Sequence, residues 1–307
     1  MKPRETGSSA EIEKAMNTLT PIDVSVAELV LKEAKEIMDQ LGVVFFLRQG
    51  TCLGAIRDNA ILAWDDDIDI GSVIGLHGLT NESVHDVVDR VVAAFSERGF
   101  STRVEQTSSY LYVLLLKSSI RIDWECFHIV KGTIQHWPPK RFSVELFTEL
   151  LEIDFLGQKH HVPNPPEDYL ETKYGPEWRV PKPSGSYEKD VLSMIPDPPP
   201  ANAIRTLFSK MWALLFPVQA STLLVLDHQG EPVADAEVQV AGVGARQTDN
   251  HGYVSLKLTD DLYHSLIIRF NGHEEVLYVE RLAHGQRYVY RPDLQQKSGR
   301  SFVLAEK

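Results

Sequence analysis

The apolar positions change period repeatedly along the chain, and each change predicts an element. Val26, Val30, Ala34, Ile37 and Leu41 recur at near-helical spacing, with Thr20 as N-cap, Pro21 at the first helical position, Asp23 in the first turn and Gly42 as the stop. The continuous run 43–47 (VVFFL) predicts a buried strand, and 68–73 (IDIGSV) a second one. Asn81 caps another helix, with Val84, Val88, Val91, Val92 and Phe95 on one side and Gly99 at its end. Residues 110–117 (YLYVLLLK) and 120–130 (IRIDWECFHIV) then read as a hairpin about Ser118 and Ser119, followed by a turn at Lys131 and Gly132 into 133–135. The stretch 151–163 predicts a further hairpin turning near Gly157, and 164–167 (NPPE) opens a short helix carrying Tyr169, Leu170 and Tyr174.

Beyond this the texture breaks. Residues 181–200 (PKPSGSYEKDVLSMIPDPPP) are rich in Pro, Ser and Asp and read as an extended linker, and 203–216 as an amphipathic linking helix. From Ser221 the period becomes two, in short runs (STLLVLD, AEVQVAG, YVSLKL, SLIIRF, EVLYVE) separated by Gly, Asn and Asp turns, the pattern of a small antiparallel β-sandwich. The fold class expected is therefore α+β, a mixed sheet with flanking helices, followed by a small all-β sandwich. The boundaries expected are a flexible N-terminus over 1–20, a first domain over 21–185, a linker with a short helix over 186–220 and the β domain over 221–307.

Composition narrows the functions open to such a chain. Its 307 residues suffice for two domains. Acidic residues outnumber basic ones 43 to 31, for a net charge of -12, without the Lys and Arg clusters that a nucleic-acid or anionic-membrane binder needs. A nucleotide is still accessible, because one arginine and a metal ion can hold a diphosphate. The two cysteines, Cys52 and Cys126, have apolar neighbours and read as reduced core thiols. The first residues (MKPRETGSSAEIEKA) lack the apolar core of a secretory signal. The most apolar stretch, 207–220, contains Lys210 and Pro217 and is too short to span a bilayer, so no transmembrane segment is expected.

The chemistry concentrates in 48–71 (RQGTCLGAIRDNAILAWDDDIDIG), which sets four carboxylates within five residues. If 65–70 is extended, Asp65, Asp67 and Asp69 share a face, Ile68 and Ile70 turn to the core, and Asp66 caps the start of the strand on the other side. Carboxylates so close raise one another's pKa unless a cation neutralises them, and hard oxygen donors suit Mg²⁺ or Mn²⁺. The plain alternative is a solvated acidic turn. Upstream, Gly50 and Thr51 form a glycine turn after the first strand, with Gly54 close by. Small residues there let backbone N–H groups approach a phosphate, Thr51 adds a hydroxyl, and Arg57 is placed to clamp a diphosphate. In 120–127 (IRIDWECF), Asp123 and Glu125 share a strand face opposite Ile122 and Trp124, and Asp123 offers either a further metal ligand or a proton acceptor. Trp64, Tyr174 and Trp178 are candidates to stack on a base, with core packing the plainer reading. His160 and His161 are adjacent on a strand, face opposite sides and read as surface histidines.

GTCLGAIRDNAILAWDDDIDI resembles the signature of the LicD family, which includes fukutin and fukutin-related protein, within the nucleotidyltransferase-fold superfamily. RIDWECF resembles the family's strand with the third acidic residue, and NPPEDYLETKYGPEWRVP its C-terminal segment, with Tyr174, Gly175, Trp178 and Pro181. The resemblance spans about residues 25–185. It implies a nucleotidyltransferase-like sheet and a phosphotransferase moving phosphocholine, ribitol phosphate or glycerol phosphate from a CDP-linked donor to a glycan hydroxyl. By the same resemblance Asp67 and Asp69 are the metal-binding Asp-x-Asp with Asp65 beside them. Gly50, Thr51 and Arg57 match the loop, and Asp123 the third carboxylate. Cys52 departs from the small apolar residue that the family often carries. The expected partners are a nucleotide-linked donor and a glycan or lipid-linked glycan acceptor, in the cytoplasm or peripherally at the inner face of a membrane. The stretches 230–236 and 248–253 are similar to carboxypeptidase-regulatory-like or transthyretin-like β-sandwiches. The competing readings are a nucleotidyltransferase releasing pyrophosphate from an NTP, and an inert glycan- or protein-binding protein.

Overall fold

The computed structural model describes residues 4–17, 20–106, 111–136, 140–183, 186–195, 220–258, 263–294, 299–301 and 303–306. The chain divides into two compact units, Met1–Pro181 and Lys182–Lys307.

The first unit begins with β1 (Arg4–Thr6), α1 (Ser9–Asn17), α2 (Val24–Leu41), β2 (Phe46–Leu47) and α3 (Gln49–Arg57). There follow β3 (Ile68–Ile74), α4 (Val84–Glu97), β4 (Ser101–Gln106), β5 (Leu111–Lys117) and β6 (Ile120–His128). It closes with β7 (Thr133–His136), β8 (Lys140–Ser143), β9 (Leu151–Phe155), β10 (Gln158–Val162) and α5 (Pro166–Tyr174). Eight of these strands make one mixed sheet in the order β1-β4-β5-β6-β3-β2-β10-β9, and β7 and β8 pair apart from it. β3 runs parallel to β6 and β10 parallel to β2, while the other neighbours are antiparallel.

Local chemistry explains most element limits. α2 is capped by Asp23, whose carboxylate accepts the Val26 N–H at 3.2 Å, so the helix starts later than Thr20 and Pro21 led one to expect. It ends at Gly42 in the left-handed conformation, burying Ala27, Val30, Leu31, Ala34, Ile37 and Met38. For α4 the N-cap is Ser83 rather than Asn81, because Asn81 lies in the turn before it. Ser118 and Ser119 both take positive φ, the backbone that a two-residue hairpin requires, and Leu156 and Gly157 do the same between β9 and β10.

Three expectations are corrected. Residues 4–17 of the expected flexible N-terminus are not a loose end: β1 pairs with β4, and α1 buries Ile12 against Tyr112, Leu114 and Leu116. Of the run 43–47 only Phe46 and Leu47 form strand, the rest packing as coil after α2. His160 is not a surface residue. β10 is paired on both sides, so its inward face is core, and His160 is 1% exposed between the rings of Phe45 and Phe155 at 6.3 and 5.8 Å.

In the second unit the extended reading of 181–200 gives way to α6 (Ser186–Ser193), whose Leu192 packs on Ile267 and Val276. The linking helix expected over 203–216 lies outside the described residues. The strands are β11 (Ser221–Val225), β12 (Glu237–Val240), β13 (Gly244–Gln247), β14 (Tyr253–Leu256) and β15 (Tyr263–Phe270). β16 (His273–Arg281), β17 (Arg287–Tyr290), β18 (Arg300–Ser301) and β19 (Ala305–Glu306) complete them. They form sheets in the orders β14-β11-β17-β19 and β13-β12-β15-β16-β18, whose buried residues make one apolar cluster. The arrangement departs from the purely antiparallel expectation in two pairs, β11 with β17 and β16 with β18, which are parallel. Among the described residues no helix is long and apolar enough to cross a membrane.

Candidate active site

The acidic stretch lies where three elements of the first unit meet: the bend before β3, the start of α3 and the middle of β6. The strand begins only at Ile68, so Asp65, Asp66 and Asp67 sit in a bend and do not alternate faces. One carboxylate oxygen from each comes within 4.8 Å of the others, so Asp66 joins the cluster that the extended reading had turned it away from. Asp69 and Asp123 are register partners in the parallel pairing of β3 with β6, and one residue pair further Ile70 lies beside Trp124 in the core. That pairing fuses two acidic segments more than fifty positions apart into one centre.

Burial and repulsion shape its electrostatics. Burial first, then the charges of Asp67, Asp66 and Asp69, push the Asp65 carboxyl well up. Burial and Asp67 raise Asp66 to about 7. Asp123 is pushed up to about 6, mainly by burial and against the pull of Arg121. Asp69 also rises through burial, although Arg48 opposes it.

Two buried arginines pair with five of the carboxylates. Arg48 Nη2 lies 2.9 Å from Asp69 Oδ1 and Nη1 3.3 Å from Glu125, while its Nε–H donates to the Ile70 carbonyl at 3.0 Å. Arg121 pairs with Asp66 at 3.0 Å, with Asp67, and with Asp123 at 3.3 Å. The Gln49 side chain donates to Asp69 Oδ1 at 3.2 Å, and its backbone N–H donates to the Tyr169 hydroxyl at 3.0 Å. Gln49 holds a positive φ of 45°, backbone strain that costs about 1 kcal/mol or more in a non-glycine residue. Tyr112 donates its hydroxyl to Asp123 at 2.7 Å. Lys173, fully buried on α5 and in the field of Asp69 and Glu125, has its ammonium lowered to about 7 by burial.

The remaining expected positions take other duties. Gly50 and Thr51 lie in the first turn of α3, a helix and not an open turn, because the chain winds as soon as β2 ends. A Cβ on Gly50 would run into the Asp65 carboxylate, so glycine there makes room for the acid. The Thr51 hydroxyl accepts the Asp69 N–H at 2.8 Å and so fixes the acidic strand. Gly54 is buried mid-helix under the Ala60 carbonyl and Leu62, which makes it a packing glycine. Arg57, about 10 Å further along the helix axis from Gly50, forks onto Asp58 with contacts of 2.7–3.1 Å. Trp64 is half-buried in the turn before Asp65. Trp178 is core, with the Arg179 guanidinium 4.1 Å from its ring centre. Cys52 and Cys126 are buried free thiols, as expected.

Arg48, Gln49, Tyr169, Lys173 and Arg121 escaped the sequence reading. For Arg121 a signal existed: Arg121, Asp123 and Glu125 alternate along β6 on one face. The donors present, all carboxylate oxygens, half-buried and mutually repelling, fit a hard divalent cation.

The stretch that carries this centre is similar to known proteins. Residues 42–165 match the family model described as LicD/FKTN/FKRP, nucleotidyltransferase domain. The chain is 29% identical over 167 residues to ribitol-5-phosphate transferase FKTN of Mus musculus, covering 50% of this chain and 33% of that protein. The Homo sapiens FKTN protein is 26% identical over 183 residues, covering 56% and 37%. Ribitol 5-phosphate transferase FKRP of Homo sapiens is 28% identical over 151 residues, covering 46% and 29%. The chain thus spans about a third of the length of the curated relatives it matches. The solution structure of antibiotic-resistance factor ANT(2'')-Ia aligns at 14% identity with a TM-score of 0.36, over 63% of this chain and 96% of that one, too loosely to bear on the fold.

Proposed function

We propose that this chain is a divalent-cation-dependent phosphotransferase. It moves a phospho-alcohol of the ribitol phosphate, glycerol phosphate or phosphocholine type from a CDP-linked donor to a hydroxyl of a glycan or lipid-linked glycan. The observation that carries the reading is the register of β3 with β6, which sets Asp69 beside Asp123 within the LicD-matching stretch. The relatives named as ribitol-5-phosphate transferases support the class of reaction.

Asp65, Asp66 and Asp67, with Asp69 and Asp123 beside them, are the residues that would hold Mg²⁺ or Mn²⁺. Such an ion supplies charge neutralisation at the donor diphosphate and at the leaving phosphate. Arg48 and Gln49 hold Asp69 in place from below. Asp123, oriented by the Tyr112 hydroxyl, either joins the ligands of the ion or receives the proton of the acceptor hydroxyl. The hydroxyl oxygen then bonds to the phosphorus that carries the alcohol, the bond from that phosphorus to the bridging oxygen breaks, and CMP leaves with the electron pair. The reaction runs where CDP-linked donors are made, in the cytoplasm or at the inner face of a membrane.

The test is product release from CDP-ribitol, CDP-glycerol, CDP-choline and the four NTPs, each with Mg²⁺ or Mn²⁺ and a mixed glycan acceptor. CMP from one CDP-alcohol, dependent on the ion and the acceptor, is the expected result. Pyrophosphate from an NTP would instead favour the second reading, a nucleotidyltransferase, which the description of the matched family model keeps open. Failure to bind Mn²⁺ would favour the third reading, an inert glycan- or protein-binding protein.

A further inference from the structure

Arg121 stands where a metal ion would be expected. Its side chain is 11% exposed, and its guanidinium meets Asp66, Asp67 and Asp123, drawn from both acidic segments. Its Nη1–H also donates to the Ala15 carbonyl of α1 at 3.2 Å. The Nε–H faces Asp123 without a hydrogen bond, so that contact is held by charge rather than by direction. Arg48 likewise donates to one backbone carbonyl, that of Ile70, but pairs with two carboxylates, whereas Arg121 pairs with three.

We propose that Arg121 is the resident counter-ion of this centre, which a divalent cation displaces from Asp67 and Asp123. The inference rests on the metal-dependent reading above. Without the ion, the acids at the bend and on β6 would repel one another, and the guanidinium holds them together. With it, the same oxygens cannot serve both cations, so the ion must compete with a charge already present. Arg121 thereby sets how much metal the site needs, a role distinct from that of any ligand.

Binding of Mn²⁺ to the full chain tests this, read by titration calorimetry and by the loss of the free-ion signal in electron paramagnetic resonance. Arg121→Gln should bind Mn²⁺ more tightly than the native chain by about tenfold or more, the range of an ordinary coupling between two ligands. Its melting temperature should fall without metal and recover when Mn²⁺ is added. Arg121→Lys, which keeps the charge, should bind close to the native value. Should Arg121→Gln not fold, the native chain still decides. The Arg121 Nε–H resonance, assigned by its absence from the Lys variant, should shift as diamagnetic Mg²⁺ is added. Equal or weaker binding by the Gln variant, or an unmoved resonance at saturating Mg²⁺, overturns the inference and leaves the metal reading standing. Absence of binding in every form overturns both.

Discussion

Asp67 and Asp69 stand two residues apart and answer to different partners. Asp67 pairs with Arg121 in the bend, whereas Asp69, 8% exposed, is the acceptor for Arg48 and Gln49 inside the sheet. Asp67→Asn and Asp69→Asn should each lower transfer by about a hundredfold or more, as the loss of one preorganised charge at a transition state does. Only Asp69→Asn should also cost stability, about 2 kcal/mol, because it leaves the buried Arg48 with Glu125 alone. Urea unfolding of the two variants checks the contrast, and a common loss of stability would remove this account of Arg48. Gly50 makes a second distinction. Alanine inside a helix ordinarily gains about 0.5–1 kcal/mol over glycine, but here its methyl group meets the Asp65 carboxylate. Gly50→Ala should therefore impair transfer and stability together, and adding Asp65→Ala should restore the stability alone. A Gly50→Ala variant that simply melts higher would show that Asp65 has room to move.

Much of what the elements do was legible in their patterning, and the failures share one cause. The α2 stripe, the β5–β6 turn at Ser118 and Ser119 and the β9–β10 turn at Leu156 and Gly157 are local effects, set by neighbours in sequence. Arg121 was missed and His160 misjudged because their surroundings are set by strand order. Parallel pairing of β3 with β6 turns Arg121 from a strand charge into the partner of three acids, and pairing on both sides of β10 turns His160 inward. Thr51 gained a duty the pattern did not show, because the chain enters α3 directly and its hydroxyl oxygen accepts the Asp69 N–H. Burial lowers the His160 imidazole to about 4, below its ordinary 6.5. The unfolded chain takes up a proton at this residue below about pH 6.5 while the folded chain does not. Stability at this position is therefore lost as the pH falls from 6.5 towards 4, by up to about 3 kcal/mol. His160→Phe, which keeps a ring between Phe45 and Phe155, should flatten that acid limb. Melting curves from pH 8 to pH 4 read it directly, and parallel profiles for the two proteins would contradict the burial of a neutral histidine.

For the whole molecule the informative feature is that each unit closes its own core. The break after residue 181 and the change of hydrophobic period at Ser221 already signalled two parts, but they placed 186–193 in a linker. α6 belongs to the second unit because Leu192 needs Ile267 and Val276 to be covered, a requirement that appears only once β15 and β16 are paired. All the carboxylates and both arginines of the candidate site fall within Met1–Pro181. The last helix of that unit, α5, contributes Tyr169 and Lys173, and Trp178 is buried just after it. A chain of residues 1–181 therefore carries every group that the metal reading uses. It should fold, with a single cooperative unfolding transition, and bind Mn²⁺ within about twofold of the full chain, because distant independent parts contribute additively. Calorimetric unfolding together with a Mn²⁺ titration of both chains decides the matter. A folded 1–181 that binds no ion, beside a full chain that does, would mean that the second unit supplies part of the site. A folded 1–181 that binds the ion normally but transfers nothing would instead assign the second unit to recognition of a substrate.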